Sequence, residues 1–179
     1  MRSTKRSDVH LEQPSARREK EFIRCVRRSR SLHRGRVTPP DTSDKYRDYL
    51  RRVRKANQAT FFVALDHSDE IAGVIDIGNI VRGYFQSAYL GYYAFVPFAG
   101  SGYMRKGLHQ VITYAFRKLK LHRLEANIQP DNERSIALVS GLGFKLEGVS
   151  PRYLKVCGRW KDHERWAILS EGWKPHEVA

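Results

Sequence analysis

Residues 90–119 hold the tightest constraint on what this chain can become. A β-prone aromatic and branched run, Leu90-Gly91-Tyr92-Tyr93-Ala94-Phe95-Val96, stops at Pro97 and passes into the loop Ala99-Gly100-Ser101-Gly102. Beyond it Leu108, Val111, Ile112, Ala115, Phe116 and Leu119 recur at spacings of three and four, which predicts a helix with one buried face. A strand that enters a helix through glycine brings free N–H groups and the positive end of the helix dipole to one point. Glycine also lets a ligand approach the backbone closely. Such a junction favours an anionic group, so Gly100, Ser101, Gly102, Tyr103, Met104, Arg105, Lys106 and Gly107 are candidates for holding one. The alternative is a loop that only turns the chain.

Two nucleotide-binding patterns fail on spacing. After Gly100-x-Gly102 the dinucleotide fingerprint needs a third glycine where Arg105 stands. Gly102 and Gly107 have the Walker separation, but Leu108-His109 follows Gly107 instead of Lys and Ser or Thr.

A second block lies downstream. The stretch from His122 to Ile128 alternates as a strand, with Leu124, Ala126 and Ile128 on one face. Pro130-Asp131-Asn132 breaks it, and Asn132-x-x-Ser135 opens a helix with apolar Ile136, Leu138, Val139 and Leu142. Gly141 and Gly143 crowd its end, and Gly143-Phe144 leads into another strand. The tail reads Tyr153-Leu154-Lys155, Gly158-Arg159-Trp160-Lys161-Asp162-His163 and Trp173-Lys174-Pro175.

In this order the motifs resemble the GNAT superfamily of acyl-CoA N-acyltransferases, and within it the RimJ/RimL-type protein N-terminal acetyltransferases, over roughly residues 60–175. The family signature Arg/Gln-x-x-Gly-x-Gly/Ala falls here on Ala99, Gly102 and Met104, so its central glycine is kept and its outer positions depart. The resemblance implies an α/β (α+β) GNAT fold: a mixed, mostly antiparallel sheet flanked by helices, with strands near Tyr92 and Glu125 splayed to admit acetyl-CoA. It implies that loop amides hold the coenzyme pyrophosphate and that Asn132 and Ser135 open a second coenzyme-contacting helix. The reaction implied is acetyl transfer to a primary amine, the N-terminal α-amino group of a protein such as a ribosomal protein.

A backbone N–H near Phe95 or Val96 is then expected to stabilise the oxyanion, Ser135 to polarise the leaving sulfur, and Glu125 to act as base. Each has a plainer reading. Ser135 can be a capping residue, and Glu125 can be an ion-pair partner of Arg123. His109 and His163 are further titratable candidates with an ordinary structural alternative. The nearest rivals are a GNAT enzyme for a small amine or antibiotic, and a coenzyme- or RNA-associated module without catalysis. The segment His33-Arg34-Gly35-Arg36 stands where that branch commonly carries Trp, which bears on acceptor choice.

Composition enters through charge. The formal net charge is +14, and residues 1–60 hold 18 Lys and Arg against 7 Asp and Glu. The excess sits on two predicted helices, Ala16 to Ser31 and Asp44 to Lys55. Phe22, Ile23, Val26, Tyr46, Tyr49, Leu50 and Val53 form their apolar sides, and Arg17, Arg24, Arg27, Arg28, Arg47, Arg51 and Arg54 their outer faces. This face is either solvated surface or a footprint for RNA, the ribosome or an acidic polypeptide.

No apolar run is long enough to span a membrane, and no His/Cys cluster has metal-ligand spacing, so neither membrane nor metal is expected. Two cysteines, Cys25 and Cys157, and no apolar signal core after Lys5-Arg6 point to a reducing cytoplasm. One domain over residues 1–179 is expected, as a monomer or homodimer: a basic helical part at 14–57, a coenzyme-binding core at 60–150 and a hairpin at 151–170 turning at Cys157-Gly158.

Overall fold

The computed structural model describes residues 8–175; Lys5 and Arg6 lie outside them. Its strands are β1 (Val9–Glu12), β2 (Ala59–Leu65), β3 (Ile71–Val81), β4 (Ser87–Ala94), β5 (Arg123–Ile128), β6 (Lys145–Val156) and β7 (Arg159–Leu169). Its helices are α1 (Glu19–Arg28), α2 (Arg30–His33), α3 (Ser43–Val53), α4 (Tyr103–Arg117) and α5 (Glu133–Gly141). The strands form one seven-stranded sheet in the order β1-β2-β3-β4-β5-β7-β6. Every neighbouring pair is antiparallel except β4 and β5. This is the mixed, mostly antiparallel sheet expected.

Helices cover both faces of the sheet, which is why β2 reads as an unbroken apolar run instead of an alternating one. On one face the predicted stripe of α4 is buried: Leu108, Val111, Ile112 and Ala115 pack with Phe61, Val63, Ile75 and Leu124. Gly107 sits at the closest approach, where a Cβ would come within 2.6 Å of Val63 Cγ2. On the other face Phe22 of α1 and Tyr46 and Tyr49 of α3 pack on Phe62, Val74 and Phe95. The Phe22 ring lies 5.0–5.7 Å from those of Tyr46, Tyr49, Phe62 and Phe95. Aromatic pairs at such spacing contribute about 0.5–1.5 kcal/mol each beyond area burial.

Several boundaries differ from the sequence reading, among them that of the final hairpin, whose first strand begins at Lys145 and not at 151. The single helix expected from Ala16 to Ser31 is a 3-10 turn at Ala16–Arg18, then α1, then the short α2. The break falls at Ser29, a fully buried residue whose Oγ accepts the Val96 N–H at 3.0 Å. Buried main-chain donors need acceptors, and the kink supplies one from a side chain. β4 begins at Ser87, not near Leu90, and ends at Ala94 before the aromatic run does. Phe95 turns into the second core while its N–H still bonds Ala72 O at 2.8 Å. The apolar run Ile71 to Ile77 predicts a hairpin strand, and β3 runs on from it to Val81, past a register shift between Gly78 and Val81.

Candidate active site

The parallel pair defines the site. β4 and β5 pair only where Ser87, Ala88 and Tyr89 meet Arg123, Leu124 and Glu125. Beyond that point β4 stays on β3 as far as Ala94, and β5 stays on β7 as far as Ile128. The two strands therefore diverge and open a slot in the middle of the sheet. Its mouth is the loop leading to α4.

In that loop Gly100 and Gly102 have φ of +87° and +83°, and a Cβ at either would meet no atom within 4 Å. Both glycines hold the left-handed backbone that side chains disfavour, and both keep the surface above them clear. Gly102 caps α4 without a side-chain acceptor. The first amide of this turn with a main-chain acceptor is that of Lys106, bonded to Gly102 O at 3.2 Å, so those of Tyr103, Met104 and Arg105 are the usual unpaired N-terminal set. Ser101 is tied back through its N–H to Phe98 O at 3.2 Å.

The side chains of this segment do other work. Met104 is buried, its sulfur where a Cβ on Gly73 would fall, and Gly107 faces β2, away from the open side. Arg105 donates to Gly141 O at 3.2 Å, which joins α4 to the end of α5, and Lys106 pairs with Asp8. What the loop offers an anion is main-chain N–H. Positive charge comes instead from three arginines that share a cavity of about 560 Å³ with Val96, Pro97 and Ala99: Arg34, Arg36 and Arg134. Arg36 is bound to Asp131 and Gln129 and holds the Asp131 carboxyl below its usual range. Arg34 and Arg134 carry no ion pair among the described residues. The sequence points to Arg34 and Arg36 only for acceptor choice and not to Arg134, because the three arrive from segments about a hundred positions apart.

The expected oxyanion donors are committed. Phe95 N–H bonds Ala72 O, and Val96 N–H bonds Ser29 Oγ. Neither main-chain donor is free to meet a developing negative charge in this conformation. Asn132 caps α5, its Oδ1 accepting the Ser135 N–H at 3.4 Å, so both residues flank the slot through the α5 N-terminus. Tyr92 of β4 reaches across to donate its hydroxyl to Ser135 O at 3.2 Å, and burial pushes its pKa up to about 12. The cap uses Ser135 main chain only.

Glu125 lies on the sheet face opposite Leu124, and its Oε1 accepts from Arg123 Nε at 2.8 Å. Arg123 also binds Glu147, so the ion-pair reading of Glu125 describes its surroundings here. On the same face a cavity of about 520 Å³ is lined by Asp76, Tyr89, Gly91, Asn127, Tyr153 and others. Asp76 accepts from Thr60 Oγ1 at 2.5 Å and has no ion pair among the described residues. Burial raises its pKa, against the pull of Thr60 and of Arg52 on α3. The signal for it was in the sequence: one acid inside the apolar run Ile71–Ile77. His163 is buried with Nδ1 at 2.9 Å from Lys161 O, and the His109 ring packs 4.8 Å from that of Trp173.

Among the described residues, His10, Glu12 and Asp69 could gather round a cation. Arg17 and Arg18 already bind those carboxylates, and Asp66 binds the imidazole. No described helix is long and apolar enough to cross a membrane.

Residues 9–145 match the acetyltransferase (GNAT) domain family. The ribosomal protein uS5-alanine N-acetyltransferase of Escherichia coli is 37% identical over 127 residues, 70% of this chain and 66% of that protein. The probable N-acetyltransferase YjcK of Bacillus subtilis is 34% identical over 123 residues, 69% of this chain and 68% of that one. The match thus spans about two thirds of the length of these relatives. Among solved structures, Mycobacterium smegmatis RimJ in complex with CoA-disulfide superposes with a TM-score of 0.83 at 27% identity, covering 91% of this chain and 82% of that one. Spermidine N-acetyltransferase from Vibrio cholerae, in complex with CoA and spermine, shares the fold with a TM-score of 0.79 at 19% identity, covering 93% and 98%. With the slot between β4 and β5 and the glycine loop at its mouth, these similarities make the chain a member of the GNAT acetyltransferase family, an N-acetyltransferase.

Proposed function

We propose that the chain transfers the acetyl group of acetyl-CoA to the N-terminal α-amino group of a protein, a ribosomal protein being the class to which its relatives point. The observation that carries this reading is the loss of β4–β5 pairing beyond Tyr89 and Glu125, beside a helix N-terminus with clear amides. The N–H groups of Gly102, Tyr103, Met104 and Arg105 would hold the pyrophosphate, with Arg34, Arg36 and Arg134 supplying positive charge. The bound thioester supplies an activated acetyl group, and the amine attacks its carbonyl carbon as the C–S bond breaks. Ser135 would hydrogen-bond the departing sulfur.

The α-amine reading also follows from how readily each class of amine gives up its proton. An α-amino group has a pKa of about 7.7–8.0 and a lysine about 10.4, so deprotonating lysine costs roughly 3–4 kcal/mol more at neutral pH. The Glu125 carboxylate is committed to Arg123. Incubation with acetyl-CoA and a mixture of purified ribosomal proteins, followed by mass mapping of peptides, tests the reading. Acetyl groups should appear on N-terminal residues; acetylation confined to lysine side chains contradicts it.

A further inference from the structure

The slot has two ends. The glycine loop is at one, and at the other is the cavity on the face carrying Asp76, Gly91 and Asn127. Asp76 and Gly91 are cross-strand partners on β3 and β4, and a Cβ on Gly91 would lie 4.0 Å from Asp76 Cβ. Glycine at this position leaves the carboxylate uncovered from the β4 side. Thr60 from β2 holds one carboxylate oxygen, and no ion pair neutralises the group among the described residues. Across the gap, on β5, the Asn127 Oδ1 is buried with no hydrogen-bond partner. Buried polar oxygens without a donor are rare and costly. Two acceptors, one of them anionic, thus line a single cavity on opposite sides of the splayed strands.

We propose that Asp76 and Asn127 form the seat of the acceptor's amino group. The Asp76 carboxylate receives the ammonium, and Asn127 Oδ1 accepts a second N–H. The ligand class is a primary ammonium at the end of an extended chain, because the cavity lies at the slot and not at a closed internal void. The ammonium first gives one proton to the Asp76 carboxylate or through water to solvent. The lone pair so freed forms the C–N bond, the C–S bond breaks, and the second proton lost from nitrogen goes to the departing thiolate, leaving the amide and the free thiol. This assignment rests on the acetyl-transfer reading for its chemistry, whereas the binding step stands on Asp76 and Asn127 alone.

The test separates the two. With CoA-loaded protein, calorimetry is run with an alanine-initiated hexapeptide, with spermidine, and with the same peptide N-acetylated. The wild type should bind at least one free amine and bind the blocked peptide far more weakly. Asp76→Asn, which keeps shape and removes charge, should weaken amine binding about 10- to 100-fold, the usual worth of a hydrogen bond to a charged group. Its CoA affinity and melting temperature should stay close to wild type. Asn127→Ala should weaken amine binding less, because Oδ1 is neutral. In thiol-release assays with acetyl-CoA, Asp76→Asn should raise KM for the amine by a similar factor. Amine binding in the wild type with no thiol release would remove the acetyl-transfer reading and leave the seat standing. Thiol release with an unchanged amine KM in Asp76→Asn would do the reverse. Failure of the wild type to bind either amine, or equal affinity for the blocked peptide, overturns the seat.

Discussion

At the scale of single residues, the α4 junction divides its labour between main chain and side chains. Gly100 and Gly102 serve the open side through positive φ, whereas Met104, Arg105, Lys106 and Gly107 spend their side chains on packing and ties. Gly102→Ala places a methyl on the face proposed for pyrophosphate and strains the backbone by about 1–2 kcal/mol. Acetyl-CoA affinity, measured by calorimetry on the folded variant, should fall by at least about tenfold; unchanged affinity would move the anion elsewhere. Ser135→Ala retains the α5 cap, because only the Ser135 N–H enters it. Stability should stay within about 0.5 kcal/mol, while turnover falls more than coenzyme affinity if the hydroxyl meets the leaving sulfur. The core was largely legible at this scale: Leu108, Val111, Ile112, Leu124 and Phe22 are buried as their spacing required. Asp76 and the cluster of Arg34, Arg36 and Arg134 were not, since their roles come from pairing and packing between distant segments.

At the scale of elements, α2 is the piece most exposed to pH. His33 is buried, and its Nε2 lies 2.8 Å from Ala94 O, at the end of β4 where the slot opens. Burial lowers its pKa below the ordinary 6.5, so the unfolded chain binds the proton first. Stability therefore falls as pH drops below about 6.5, and continues to fall until the folded-state pKa is passed. The carboxylates whose pKa values are lowered by arginine or lysine partners, Asp41, Asp131 and Glu147, give up stability only in a more acid window, below about 4.5. Thermal unfolding between pH 7 and 5.5 should show a decline that His33→Gln, which retains a donor for Ala94, makes shallower; equal slopes would remove His33 from the account.

The basic helices were legible as amphipathic, but the kink at Ser29 was not, because it answers to the Val96 N–H some 67 positions away. Arg47 and Arg51 of α3 pair with Asp44 and Asp48 one turn earlier, while Arg24 and Arg54 have no carboxylate partner among the described residues. We propose that the unpaired arginines serve an anionic carrier of the substrate. Arg24→Gln with Arg54→Gln should weaken ribosome association, most strongly at low salt, because screening is already felt within about 8 Å at physiological ionic strength. Turnover on a short neutral peptide should persist. Salt-independent association, or none lost, would leave these helices as solvated surface.

At the scale of the whole molecule, the order of strands could be written from periodicity and breaks, and the hairpin turning at Cys157-Gly158 joins β6 and β7 as expected. The neighbour relations could not be written so. That β5 pairs with β7 while β6 lies outside, and that β4 and β5 run parallel for only three residues, are long-range outcomes set by which faces the helices cover. The slot, the cradle and the acceptor cavity all follow from that brief parallel contact. Acetyl transfer through this slot is proposed to be directed to an α-amino group. It is tested most directly by comparing kcat/KM for thiol release, with intact-mass detection, across three acceptors: an alanine-initiated peptide, its N-blocked counterpart carrying one lysine, and spermidine. Saturable release and the gain of one acetyl group on the free N-terminus are expected, with the blocked lysine peptide and spermidine slower by at least about the hundredfold that the difference in amine pKa implies. Equal or faster turnover of spermidine or of the blocked lysine peptide would contradict it.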